Sequence, residues 1–96
     1  MEDEVLKLVK MSCNVSENST AKDEEFKMLI GAAEEDMSRL GIKVDHSKKK
    51  VNHAICLYAK GHWGFTKIEE QKKSLESYDS LVKEMSLSGE YREYKE

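Results

Sequence analysis

Not one proline interrupts the 96 residues of this chain. Average usage of about 5% would place several. Proline is the strongest breaker of helices, and little of the chain alternates in the β-branched, period-two manner of strands. The pattern that replaces it is helical. Phe26, Leu29, Ile30, Ala33, Met37 and Leu40 are spaced i, i+3, i+4, i+7, i+11 and i+14, one apolar stripe at 3.6 residues per turn. The chain is therefore expected to be all-α.

Four helices can be placed. The first runs from about Asp3 to Met11, with Val5, Leu8 and Val9 on one face and acids at its start, where the helix dipole favours them. Residues 13–20, CNVSENST, are polar and rich in capping types and read as a loop. Thr20 opens T-A-K-D, a capping box with Asp in the Glu position. The second helix follows to Leu40, and Gly41 is placed to end it in the left-handed conformation. A connector over 42–49 follows, with Ile42 and Val44 available to tuck under the helices and Asp45 or Ser47 to cap the next one.

The third helix is the most informative stretch. Residues 51–65, VNHAICLYAKGHWGF, hold the only Trp, two of the three His and one of the two Cys. At about 100° per residue, Val51, Ala54, Ile55, Tyr58, His62 and Phe65 share one arc, and Cys56, Ala59 and Trp63 widen it. A helix apolar over that much of its surface is contacted on several sides and is the central one. Asn52, His53 and Lys60 form its polar remainder, and Gly61 and Gly64 loosen its end. The fourth helix runs from about Ile68 to Ser86, with Leu75, Tyr78, Leu81, Val82 and Met85 as its stripe and Ser88-Gly89 as its stop. The expected core spine is Phe26, Leu29, Ile30, Ile55, Tyr58, Trp63 and Leu81. The expected organisation is one small four-helix domain, 1–89, with a central apolar helix, followed by a mobile charged tail, 90–96. Tyr91, Arg92 and Tyr94 of that tail, with His53 and Lys60, are the candidate assembly contacts.

Composition narrows the function. The formal charge is −3 and 36% of residues are charged, which suits salt-laced helices and gives no global pull toward nucleic acid. Lys48-Lys49-Lys50 is the one basic run, and reads as a solvated helix start. Cys13 and Cys56 fit no Cys-x-x-Cys pattern and are expected to be reduced thiols. Glu2, Asp3 and Glu4 follow Met1, so no secretory signal is expected. No run nears the ~18 apolar residues of a membrane span, so no membrane is expected among its partners.

Each catalytic or metal reading has a plainer counterpart. His46, His53 and Cys56 form H-x6-H-x2-C beside Asp45, but structural zinc sites use tighter paired spacings, so no metal is expected. His62 on the apolar stripe has no local carboxylate or nucleophile to serve as a general base, and is expected at the rim of the core. Gly31 beside Ala32 and Ala33 costs about 1 kcal/mol in mid-helix and is expected to let the second and third helices approach closely. No catalytic residue and no cofactor is expected, and the residues alone stop at a small helical interaction module.

Three blocks carry a family resemblance. LIGAAEEDMSRLGI (29–42), VNHAICLYAKGHWGF (51–65) and SYDSLVKEMSLSGEY (77–91) resemble, in order, successive helices of the small head–tail connector proteins of tailed bacteriophages and prophages, often called head-completion or DNA-packaging proteins. The chain departs from the usual form in two places. No proline follows the aromatic–Gly–aromatic turn, and His62-Trp63 stands where a small or aromatic pair is more usual. The resemblance implies a non-enzymatic subunit of a homo-oligomeric ring in the virion neck, assembled in the bacterial host cytoplasm. It implies as partners the portal protein and a further neck or tail protein, with DNA passing through the ring without sequence-specific binding. The competing expectation is a small helical nucleic-acid-binding or regulatory protein, supported by Lys48–Lys50 opening a helix.

Overall fold

In a computed structural model that describes residues 2–92, four helices follow one another: α1 (Glu2–Ser12), α2 (Asp23–Arg39), α3 (Lys49–His62) and α4 (Ile68–Leu87). α3 packs against each of the other three, and α1 also packs against α2. The expected all-α architecture with a central third helix is the one observed.

The helix ends show how the sequence sets the path. α1 stops where Asn14 takes a positive φ of 60°. The Val15 amide then bonds the Lys10 carbonyl (2.8 Å) and the Asn14 amide that of Met11 (3.1 Å). α2 stops in the same way at Gly41, φ 80°, with Ile42 N to Met37 O and Gly41 N to Ser38 O both at 3.0 Å. These paired bonds satisfy carbonyls that the helix leaves open and press the following residue back on the helix. Ile42 and Met37 are accordingly both fully buried.

Two expected caps are absent. Lys22, not Thr20, precedes α2, and makes no side-chain cap bond. Asp23 is drawn away instead: its Oδ1 accepts from Lys10 Nζ at 2.8 Å. Lys48 precedes α3 without a side-chain cap, while Asp45 accepts from both the amide (3.0 Å) and hydroxyl (2.7 Å) of Ser47. Those two bonds hold the Asp45 carboxyl below its ordinary range.

The core gathers Val5 and Val9 of α1, Phe26, Ile30, Ala33 and Met37 of α2, Val51, Ala54, Ile55 and Ala59 of α3, Trp63, and Tyr78, Val82 and Met85 of α4. Of the spine read from the sequence, Phe26, Ile30, Ile55 and Trp63 are buried, and Leu29, Tyr58 and Leu81 are half-buried against them. Trp63 meets Phe26 with ring centroids 4.9 Å apart. Tyr58 meets Tyr78 edge to face at 5.2 Å and the tilted His62 ring at 4.3 Å, with His62 outside the core on an aromatic edge.

Several expectations are corrected. α3 ends at His62, and Trp63 turns to extended backbone, so Phe65 leaves the stripe and is 68% exposed. It covers Trp63 from outside (5.3 Å) and carries the Lys22 ammonium 4.9 Å over its ring. Leu8 and Leu40 are exposed at the edges of their stripes. Gly31 does not serve packing between α2 and α3: a Cβ there would meet nothing within 4 Å among the described residues. Gly61, expected to loosen the end of α3, is instead the close-approach glycine. It is buried, and a Cβ on it would lie 2.5 Å from Leu75 Cδ2 and 2.6 Å from Cγ. The segment after Gly89 is docked as far as it is described. The Lys43 amide bonds the Tyr91 carbonyl at 2.7 Å, Ile42 and Arg92 form an antiparallel bridge, and the Tyr91 ring packs on the core.

Gly61→Ala would add a helix-favouring residue worth at most about 1 kcal/mol, while displacing Leu75 costs about 1–3 kcal/mol. A net loss is expected in urea unfolding, with Gly61→Ala/Leu75→Ala losing less than the sum of the two single changes. A second prediction concerns the Tyr78 hydroxyl, which donates to Asp36 Oδ2 at 2.6 Å. Burial first, then the bond to Asp36 and its charge, raise this phenol above its ordinary 10.0. The folded state thus favours the protonated phenol. Its contribution is whole below about pH 10 and is lost above it, as unfolded chains ionise first. Tyr78→Phe is expected to cost about 1 kcal/mol at pH 7 and to flatten the decline in stability between about pH 9.5 and 11.

Candidate functional site

Once the core has claimed its residues, the surfaces left for function can be read helix by helix. The exposed edge of α3 carries Lys49 and His53, with half-buried Cys56 and Lys60 on the same side. Between this edge and α1 lies a largely apolar groove of about 390 Å³, lined by Leu8, Lys49, Asn52, His53 and Cys56. The groove exists because α1 turns Val5 and Val9 into the core and leaves Leu8 at its rim, 42% exposed. Burial raises the Cys56 thiol above its ordinary range, and does the same to the more deeply buried Cys13.

His46 is held apart from the other two residues of the conceivable metal pattern by its partners. His46 faces α2, its ring nitrogens 2.6 Å from Glu34 Oε2 and 3.0 Å from Asn52 Oδ1. Asn52 Nδ2 in turn donates to the His46 carbonyl at 2.8 Å. His53 lies instead in the α1–α3 groove with Cys56. Among the described residues, no three His, Cys, Asp or Glu side chains gather into a metal-holding cluster.

The basic run is also partly neutralised. Lys48 pairs with Glu90 (3.9 Å) and Lys50 with Glu84 (3.6 Å). Both ammoniums lie over the Tyr91 ring, at 5.7 and 6.0 Å. Tyr91 is thus occupied within its own chain, while Arg92 is exposed and Tyr94 lies outside the described residues.

Sequence reasoning missed Lys10. It is 3% exposed, and its ammonium donates to the carbonyls of Glu17 (3.1 Å) and Ser19 (2.5 Å) as well as to Asp23. A buried lysine is rare unless its three donors are all satisfied, as they are here. The visible hint was a lysine between Val9 and Met11 on an otherwise apolar edge of α1.

The outer face of α2 is a second exposed surface. Glu24, Met28, Gly31, Ala32 and Glu35 are all exposed, Met28 at 76%, on the side opposite Phe26, Ile30, Ala33 and Met37.

Fold and surfaces define a single-core, all-α module whose exposed surfaces include the α1–α3 groove and the outer face of α2. The family model described as phage connector protein matches residues 5–92, from the first core residue of α1 to the docked segment after α4, and the chain belongs to that family. No curated protein and no solved structure matches it. No described helix is long and apolar enough to cross a membrane.

The docked Tyr91 generates a direct test. Tyr91→Ala loses part of a ring's buried area and two cation–π contacts of about 0.5 kcal/mol each at such exposed sites. Chemical denaturation is expected to show a loss of about 1–2 kcal/mol, and deletion of 90–96 a loss at least as large. An unchanged midpoint in both would mean that the docking adds nothing to stability.

Proposed function

We propose that this connector is a ring-forming, non-enzymatic subunit of the phage neck, which joins the portal of the DNA-filled head to the tail. The observation that carries the reading is membership of the phage connector family over nearly the whole chain. The chemistry agrees with a role by contact. The groups that would do catalysis are engaged elsewhere: His46 with Glu34 and Asn52, Tyr78 with Asp36, and both thiols held protonated by burial.

The charge agrees as well. A chain of net charge −3 around a channel does not grip the phosphates of passing DNA. The nucleic-acid reading leaned on Lys48–Lys50, and two of those three ammoniums are paired with Glu90 and Glu84. The partners of the proposed ring are further copies of itself, the portal protein, and another neck or tail protein. Its place is the virion.

The test uses a phage or prophage lacking this gene. Induction is expected to yield DNA-filled heads without tails, and added purified protein to restore tail joining. Heads that remain empty would point to a role in packaging itself, and tailed particles without the gene would remove the joining role.

A further inference from the structure

We propose that the groove between α1 and α3 receives the outer face of α2 from a second copy of this chain. The inference rests on the ring reading and says which surfaces make the ring. The groove is apolar within and basic along its edge, lined by Leu8, Lys49, Asn52, His53 and Cys56, with Lys60 further along the same side of α3. The α2 face is its complement, an exposed Met28 between two acids, Glu35 and the highly exposed Glu24, which also reaches Lys27 of its own helix at 3.7 Å.

The spacing matches on both sides. Lys49 and Lys60 are eleven residues apart on α3, and Glu24 and Glu35 are eleven apart on α2. Eleven residues are close to three helical turns, so each pair lies along one face with a separation of about 16 Å. Two helices laid side by side can therefore meet both charge pairs at once, with Met28 between them facing the groove. Its volume of about 390 Å³ is ample for a methionine side chain.

Gly31 gives independent support. A glycine in mid-helix costs about 1 kcal/mol relative to alanine. A Cβ there would touch nothing within 4 Å among the described residues, so no contact with them calls for a glycine. Gly31 and Ala32 leave a low notch between Met28 and Glu35, where the backbone of a neighbouring helix can come close. Groove and face are different surfaces of one molecule, so each copy offers one and accepts the other. Such a head-to-tail contact closes into a ring when its rotation allows.

The test is chemical cross-linking of the full chain. Met28→Cys/His53→Cys is treated with a short bis-maleimide at high protein concentration and low salt. A ladder extending beyond dimer is expected, weakening several-fold with Glu35→Lys or at high salt. Every cysteine variant here also carries Cys56→Ser, because Cys56 lines the same groove, and Met28→Cys and His53→Cys chains mixed are then expected to join each other, with little joining of either alone. The wild-type chain and Glu69→Cys/Glu76→Cys, on the exposed side of α4, set the background. A ladder no stronger than that background overturns the proposal, as does a product from Met28→Cys alone that stops at dimer. If wild-type oligomers are then still seen by sedimentation, only the α2-to-groove contact falls. If the chain neither oligomerises nor restores tail joining, the ring reading falls with it.

Discussion

A helix covered on three sides has one edge left for anything else. α3 is in this position, with α1, α2 and α4 all packed against it. Val51, Ala54, Ile55, Ala59 and Gly61 are committed to burial. At 100° per residue these claims leave the side that carries Lys49, His53, Cys56 and Lys60. The closest commitment is at Gly61, where Leu75 of α4 occupies the space of a side chain. The available surface of α3 is thus a remainder set by packing, and the groove beside α1 is where that remainder meets an exposed leucine.

Polar groups close the connections between helices. Lys10 ties the 13–22 loop and the start of α2 to α1 through three donors. His46, Glu34 and Asn52 tie the 42–48 connector across α2 and α3. Asp36 ties α2 to α4 through Tyr78, while Arg39 approaches its other oxygen at 2.9 Å. Each group is mostly or partly shielded from water and has its partners, the condition under which buried polar groups specify one arrangement at little cost. A chain that is 36% charged thereby uses some of its charges as structure and leaves most of the rest on solvated faces.

The helices and their buried stripes were legible because burial repeats every 3.6 residues and leaves its mark locally in the sequence. Gly41 was legible for the same reason, since its left-handed turn is a local requirement. What escaped was decided by partners distant along the chain. Asp23 is lost to the α2 cap because Lys10, thirteen residues earlier, takes its carboxylate. The close-approach role fell to Gly61 and not to Gly31, because only the placement of Leu75 tells which glycine lies under another helix. Phe65 fits the α3 stripe by spacing, yet the helix ends at His62 before reaching it. Tyr91 reads as a charged-tail tyrosine until Ile42, Lys43, Lys48 and Lys50 are brought beneath it. Of the candidate assembly residues, His53 alone lines the groove, with Lys60 along the same side of α3.

The docked Tyr91 moves the question of assembly from the end of the chain to its helices. A terminal arm can reach a neighbour by becoming ordered on contact, at an entropic cost for each residue fixed. A preformed groove and a preformed helix face avoid most of that cost, because their side chains are already held by the core behind them. Met28 and Leu8 sit on helices whose opposite faces are buried, so little backbone freedom remains to be lost. In the proposed ring any one contact of so small a chain buries little area, and the assembly repeats it around a closed circle. Rigid complementary helix faces suit that repetition better than an arm, since a small angular error in each contact adds up around the ring.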